Sequence, residues 1–308
     1  MKYRSIVFLA AGLMLLLTGC GQTESRQTAE SAAAGDTAEE ATAQQEGAAD
    51  GQDAAQEDPG QTLEASDSVT EGTEEYRGFI LDNVLHSEND GDIHYNLYVP
   101  DSYDGSRPYA LFFTLPGYEG LYFQGVGENL YSETFGFTAQ EYDPEMIIVA
   151  PQLSDWGETS ADQTIALAEY FLASYNIDED HVYAEGYSGG GETMSLVMGK
   201  RPDLFTAYLH CSSQWDGAYE PVAESRTPVY LVVGESDEYY GSGPSEEAYR
   251  NLYDLYRQEG LTDEEISGLL VLDVKDADYF ESRGVTVQHG GGNLFAEDEE
   301  IMGWLFDR

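Results

Sequence analysis

The stretch "AEGYSGGGETMS", Ala184 to Ser195, sets a serine among small residues as Gly186-Tyr187-Ser188-Gly189-Gly190. A hydroxyl is a weak nucleophile, so chemistry at Ser188 needs a base and a place for developing negative charge. The surroundings suit both needs. An apolar strand pattern precedes the motif and a helix pattern follows it. A sharp strand-to-helix turn holds the hydroxyl out of the backbone, and small flanking residues allow close backbone approach. The helix N-terminus then puts the Gly189 N–H where an oxyanion would form. The chemistry implied is attack on an acyl carbon. A phosphate-binding turn is the competing reading, but neither G-x-G-x-x-G nor a GK[ST] ending is present.

The base must be one of five histidines. His86 and His94 belong to an opening hairpin, and His181 starts the strand that leads to Ser188. His210 sits inside the apolar run "AYLHC" and reads as a core residue. His289 lies in "TVQHGGGN", after the last strand pattern and before the final helix, where glycines suit a loop crossing a site. His289 is therefore the expected base. The third member should orient the imidazole from just past a strand. "VYLVVGESDEYYG" offers Asp237, with Glu235 and Glu238 as close rivals and Asp216 in "SSQWDG" as another.

These residues need elements to position them. "YRGFILDNVL" and "DIHYNLYVP" read as strands joined through "ENDG", a hairpin signal. "YALFFTLP", "MIIVAPQ", "HVYAEGYS", "FTAYLHCSS", "PVYLVVG" and "GLLVLDV" read as further strands. Their continuous apolar character fits a sheet covered on both faces. Between them, "SADQTIALAEYFLASYNI" has helical spacing with Ser160 as the expected cap, "GGETMSLVMGK" is a second helix, and "SEEAYRNLYDLYRQEG" ends at Gly260. "EDEEIMGWLF" gives a final amphipathic helix. The expected fold class is α/β: a mostly parallel central sheet with an N-terminal antiparallel hairpin and helices on both faces.

The order Ser188, Asp237, His289 within this alternation resembles the α/β-hydrolase superfamily. The resemblance covers about residues 76–308. Within it, "LPG", "APQ…DW", "GYSGGG" and "VVGESDEYYG" make the chain look like secreted esterases related to polyhydroxybutyrate depolymerases and feruloyl esterases. That resemblance implies carboxylic ester hydrolysis through an acyl-enzyme, with no cofactor. The branch often carries His-Gly after its oxyanion strand, where this chain has Pro116-Gly117. Proline has no N–H to donate. The second oxyanion donor is therefore expected from Tyr118, with Gly117 the alternative. Aromatic residues crowd the same loops. Tyr122, Trp156, Tyr187, Trp215 and Tyr239 are expected to contact substrate, with Tyr118, Phe123 and Tyr240 nearby. Ordinary packing is the competing reading for each of them. "EGLYFQG" nearly matches a protease recognition tag, yet its place after a core strand makes it an expected aromatic wall of the site. No metal site is expected, since "DVKDADYFE" lacks the glycine and final ligand of a calcium loop.

Composition bounds the partners. The 308-residue chain has a formal net charge of −46 with 13 Lys plus Arg. It will not bind nucleic acid by counterion release, and an acidic surface repels polyanions. The two cysteines are far apart and make no disulfide framework. Residues 1–19 read as a lipoprotein signal peptide: Lys2 and Arg4, then "IVFLAAGLMLLL", then "LTGC". Cys20 is the expected lipidation site. Cys211, in an apolar strand, reads as inert core. Residues 20–75 read as the lipidated Cys and an acidic linker, too poor in apolar groups to offset ordering entropy. As a flexible coil it spans roughly 40 Å. Residues 76–308 form the expected catalytic domain, a monomer held to a membrane only through its lipid, on the extracytoplasmic face. The substrate expected is a small-molecule or polysaccharide ester. Two alternatives stand beside it: a non-catalytic carbohydrate-binding lipoprotein, and a serine peptidase of the same fold.

Overall fold

The computed structural model describes residues 68–308. The expected signal peptide, Cys20 and most of the linker lie outside the described residues. The chain from Ser68 onward builds one sheet. Its strands are β1 Ser68–Thr70, β2 Glu74–Tyr76, β3 Phe79–Ser87, β4 Gly91–Tyr98, β5 Tyr109–Leu115, β6 Met146–Pro151, β7 Ile177–Tyr187, β8 Ala207–Cys211, β9 Val229–Gly234 and β10 Leu270–Lys275. The order across the sheet is β1-β3-β4-β6-β5-β7-β8-β9-β10, with β2 also paired to β3. The segment β6-β5-β7-β8-β9-β10 is parallel, and β3 and β4 are antiparallel at the N-terminal end. The hairpin closes with Ser87 opposite Gly91, as "ENDG" implies. β1 and β2 extend the sheet ahead of the expected start near Tyr76. They are three residues each and largely polar, so period-2 patterning gives no signal for them.

The helices are α1 Glu128–Ser132, α2 Phe135–Tyr142, α3 Glu158–Ser174, α4 Gly189–Lys200, α5 Glu220–Ser225, α6 Gly243–Gln258, α7 Asp263–Leu269, α8 Ala277–Glu281, α9 Asn293–Ala296 and α10 Glu299–Phe306. Alternate residues of β5 enter different cores. Leu111, Phe113 and Leu115 pack with Leu167 and Phe171 of α3, Met194 and Val197 of α4, and Leu252 of α6. Ala110 and Phe112 pack with Phe135 of α2 and Ile301 and Leu305 of α10. Burial on both faces is why the central strands are apolar throughout. Two helix expectations need correction. Ser160 does not cap α3: the N-cap is Gly157, and Asp155 Oδ1 accepts from both the Gly157 N–H and the Ser160 hydroxyl. α7 lies between the expected helix at 245–260 and β10, held by a Thr262–Glu265 capping box.

The register fixes the site. Leu115 of β5 pairs with Gly186 of β7, and Tyr187 pairs with Cys211 of β8. The carboxyl ends of β5, β7, β8 and β9 therefore finish near one level. Strand order reverses between β5 and β7, the place where open α/β sheets leave a crevice.

Candidate active site

Ser188 occupies the turn between β7 and α4 with φ 53° and ψ −122°, a sparsely populated conformation for a non-glycine residue. Its surroundings over-determine that conformation. The Ser188 N–H donates to the Cys211 carbonyl at 2.9 Å, and its carbonyl accepts from Gly191 N at 2.9 Å and Ser213 Oγ at 2.5 Å. Gly190 leaves no room for a side chain, since a Cβ there would lie 2.2 Å from the Leu115 carbonyl oxygen. Gly190 is thus demanded by packing of the turn against β5, whereas a Cβ at Gly189 would meet the Trp156 ring and one at Gly186 the Gly190 carbonyl.

His289 and Asp237 meet Ser188 from two other loops. His289 Nε2 is 3.0 Å from Ser188 Oγ, and Nδ1 is 2.8 Å from Asp237 Oδ2. The Asp237 side chain is fully buried, and its Oδ1 accepts from Tyr239 N at 3.0 Å and Tyr240 N at 2.8 Å. Burial opposes its ionisation, but the His289 contact and these two N–H groups outweigh burial and hold the carboxyl below its ordinary range. The three rivals sit elsewhere. Glu238 accepts from the backbone N–H groups of Gln288 and His289, at 3.1 and 2.9 Å, and so clamps the histidine loop from its main chain. Glu235 accepts from Ala277 N, and Asp216 accepts from Gln214. Tyr187 adds a further restraint: its hydroxyl donates to the His289 carbonyl and its ring stacks on the imidazole.

A cavity of about 600 Å³ opens over these groups, lined by Ser188, Gly189, His289 and the aromatic rings of Tyr118, Trp156, Tyr187, Tyr239 and Tyr240. Two expected substrate contacts fall outside it. Tyr122 sits in a 3-10 turn and stacks on His94 of the hairpin, ring centroids 3.9 Å apart. Trp215 is 8% exposed and packs against Tyr208, His210 and Tyr219. The "EGLYFQG" loop thus walls the cavity only through its first residue, Glu119, next to Tyr118, while Leu121 is buried and Phe123 is turned to solvent. His210 is wholly buried against Tyr208, and burial pushes its pKa down to about 4. Cys211 is buried in β8. Among the described residues, no group of three or more His, Cys, Asp or Glu is placed to hold a metal ion.

Gly189 and Tyr118 N–H groups have no protein acceptor among the described residues, whereas the Gly117 N–H is spent on Glu133 Oε1 at 2.6 Å. Gly117 lies tightly against Ser188, since a Cβ there would come 3.3 Å from Ser188 Cβ. Of these three N–H groups, those of Gly189 and Tyr118 are therefore the free ones. Glu133 carried no sequence signal in a chain with 59 acidic residues. Burial pushes its pKa from 4.5 up to about 8. Glu185 accepts from Thr114 Oγ1 at 2.8 Å, and burial together with Glu133 holds its pKa well above the ordinary carboxyl range.

A carboxyl neutral in the folded protein but ionised in the unfolded chain destabilises the fold as pH rises through that interval. For Glu133 the stability present below about pH 4.5 is lost progressively up to about pH 8. Each pH unit in that window is worth on the order of 1.4 kcal/mol. Glu133→Gln keeps an acceptor for Gly117 and removes the titration. The wild-type melting temperature is expected to fall from pH 6 to pH 9, and the variant to fall less and melt higher at pH 9. Parallel melting curves would overturn this reading.

A profile of the prolyl oligopeptidase family matches residues 153–216. That span includes Ser188 but neither Asp237 nor His289. No curated protein matches the sequence. Among solved structures, a thermostable esterase is similar over 75% of this chain and 63% of its own, at 21% identity and TM-score 0.60. The chain thus spans less than two thirds of that esterase. An S-formylglutathione hydrolase from Staphylococcus aureus is similar over 75% of this chain and 98% of its own, at 11% identity and TM-score 0.52. A fluorophosphonate-binding serine hydrolase of the same organism is similar over 74% and 98%, at 13% identity and TM-score 0.50. The fold they share with this chain is the α/β-hydrolase fold.

Proposed function

We propose that this α/β-hydrolase chain is a serine hydrolase that cleaves carboxylic esters through an acyl-enzyme. The carrying observation is the unbroken path from Asp237 through His289 to Ser188 Oγ at 2.8 and 3.0 Å. In the first half-reaction Ser188 Oγ attacks the acyl carbon as His289 Nε2 takes its proton. Asp237 holds the imidazole with its proton on Nδ1 and stabilises the imidazolium. The Gly189 and Tyr118 N–H groups receive the oxyanion. The tetrahedral species collapses, the alcohol leaves with the proton from His289, and water repeats the sequence on the acyl-serine. The aromatic cavity suits a neutral acyl or aryl ester, including one carried on carbohydrate, and the chain's acidity disfavours polyanionic substrates.

A fluorophosphonate probe should label the wild type and not Ser188→Ala. A panel of p-nitrophenyl acetate to octanoate, methyl ferulate, acetylated xylan and a hydroxybutyrate oligomer then ranks acyl groups. Labelling without turnover of any ester would remove the esterase reading. A glycan that binds equally well to Ser188→Ala, with no turnover in the wild type, would favour a binding protein on a retired hydrolase fold.

Peptide hydrolysis is the second reading. It is favoured by the prolyl oligopeptidase match and by Glu119 on the cavity lining, where a substrate ammonium group would be attracted. Aminoacyl p-nitroanilides turned over faster than the matching esters would decide for it.

We also infer that the enzyme is tethered through a lipid on Cys20 and works outside the cytoplasm. The leader pattern ending in "LTGC" and the acidic linker support this reading. The enzyme should sediment with membranes and be released by Cys20→Ala. A wild-type chain that never sediments would overturn the anchor.

A further inference from the structure

Beside the triad lies a pair of residues that takes no part in the steps above. Tyr240 follows β9, and Glu192 stands in the first turn of α4. The Tyr240 hydroxyl donates to Glu192 Oε1 at 2.6 Å. Its ring meets the His289 ring edge-on, centroids 5.6 Å apart. Tyr240, Glu192, Ser188 and His289 all line the cavity. A phenol has one proton. With that proton given to a carboxyl oxygen, what it offers to the cavity is an acceptor.

The geometry points to Tyr240 as the group that orients the deacylating water, and so selects water over alcohols as the acyl acceptor. This rests on the ester hydrolysis proposed above and deepens it. Water carries two O–H donors and an alcohol one. In deacylation one donor of the nucleophile must face His289 Nε2. The second donor of water needs an acceptor, and the aromatic walls provide few. Tyr240 Oη supplies one in the cavity that Ser188 and His289 also line. An alcohol has no second proton to give it, and sets a carbon there instead.

The step balances. The water oxygen bonds to the acyl carbon, and the acyl carbon–Oγ bond breaks with its electron pair left on Ser188 Oγ. One water proton passes through His289 to Oγ. The other stays on the acid product, and Tyr240 and Glu192 keep their protons throughout.

The test uses p-nitrophenyl acetate with and without methanol, on wild type, Tyr240→Phe, Glu192→Gln and Glu192→Leu. The p-nitrophenol burst reads acylation, the later rate reads deacylation, and the methyl acetate to acetate ratio reads acceptor choice. Tyr240→Phe should keep its burst rate within about twofold, deacylate about tenfold more slowly, and raise that ratio several-fold. Glu192→Gln still accepts the phenol proton and should stay near wild type. Glu192→Leu frees that proton to turn toward the water and should resemble Tyr240→Phe. The ratio does not depend on how much of a variant is folded, so a purely structural role leaves it unmoved. An unchanged ratio in Tyr240→Phe, or a Tyr240→Phe chain that forms no acyl-enzyme, overturns the assignment. A wild type that releases no p-nitrophenol from any ester overturns the ester reading beneath it.

Discussion

Asp237→Asn is expected to lower kcat about 10³- to 10⁴-fold at neutral pH with little change in KM. The geometry forces this outcome more firmly than the substitution alone suggests. Asp237 Oδ1 accepts two backbone N–H groups, from Tyr239 and Tyr240, at 3.0 and 2.8 Å. An asparagine must keep its carbonyl oxygen there, because turning its amide would set donor against donors. Its NH₂ then faces His289 Nδ1, which must become an acceptor. The imidazole proton moves to Nε2, and Nε2 can no longer take the proton of Ser188. The base is present, correctly placed and in the wrong tautomer. Fluorophosphonate labelling should slow in proportion, since it depends on the same activation of Oγ. A loss below about tenfold would show that Asp237 is not the orienting acid. The variant should also lose stability above about pH 4. The depressed carboxyl of Asp237 contributes stability there that disappears as pH falls through its folded pKa, so the two proteins converge in acid.

Asp237 and His289 could be picked out because each announces itself locally. One follows an apolar strand directly, and the other sits in a glycine loop before the last helix. Ser188 is clearer still, because a strained turn between strand and helix admits few sequences. What could not be read depends on partners distant in the chain. Trp215 and Tyr122 share the composition and loop placement of Trp156, yet one stacks on Tyr219 within the core and the other on His94 of the hairpin. Whether a ring at a strand end faces a cavity or a core is decided by what covers it. Glu133 is the same case for charge. A carboxyl that is buried here, bonded to a backbone N–H sixteen residues away, looks in sequence like any solvated one in so acidic a chain. The Thr262–Glu265 capping box was a local signal that could have found α7, since T-x-x-E before a periodic stretch is a helix start. Its seven-residue helix runs directly into β10, and the apolar run reads as strand alone.

Tyr118→Pro is expected to lower kcat about 10²- to 10³-fold beyond whatever Tyr118→Ala costs. The site permits this substitution with little disturbance. Tyr118 is the first residue of a 3-10 turn, a position where the N–H is unsatisfied by the turn itself and proline is tolerated. The preceding Gly117 is extended, at φ −74° and ψ −167°, which is what a following proline demands. The variant therefore deletes one N–H and one ring, and the alanine variant deletes the ring alone. Their ratio isolates the donor. Pro116 cannot donate, and the Gly117 N–H is held by Glu133, so no neighbouring backbone group stands ready to replace it. The loss should fall on kcat, because the carbonyl oxygen of bound substrate gains the interaction fully only as it becomes an oxyanion. Equal rates for the proline and alanine variants would mean that the second donor lies elsewhere. A rise in KM with kcat intact would mean that Tyr118 binds substrate with its ring alone. Glu133→Gln then gives an independent check. If freeing Gly117 lets its N–H serve, combining Tyr118→Pro with Glu133→Ala should recover part of the lost rate, whereas Tyr118→Pro with Glu133→Gln, which keeps the acceptor, should recover none.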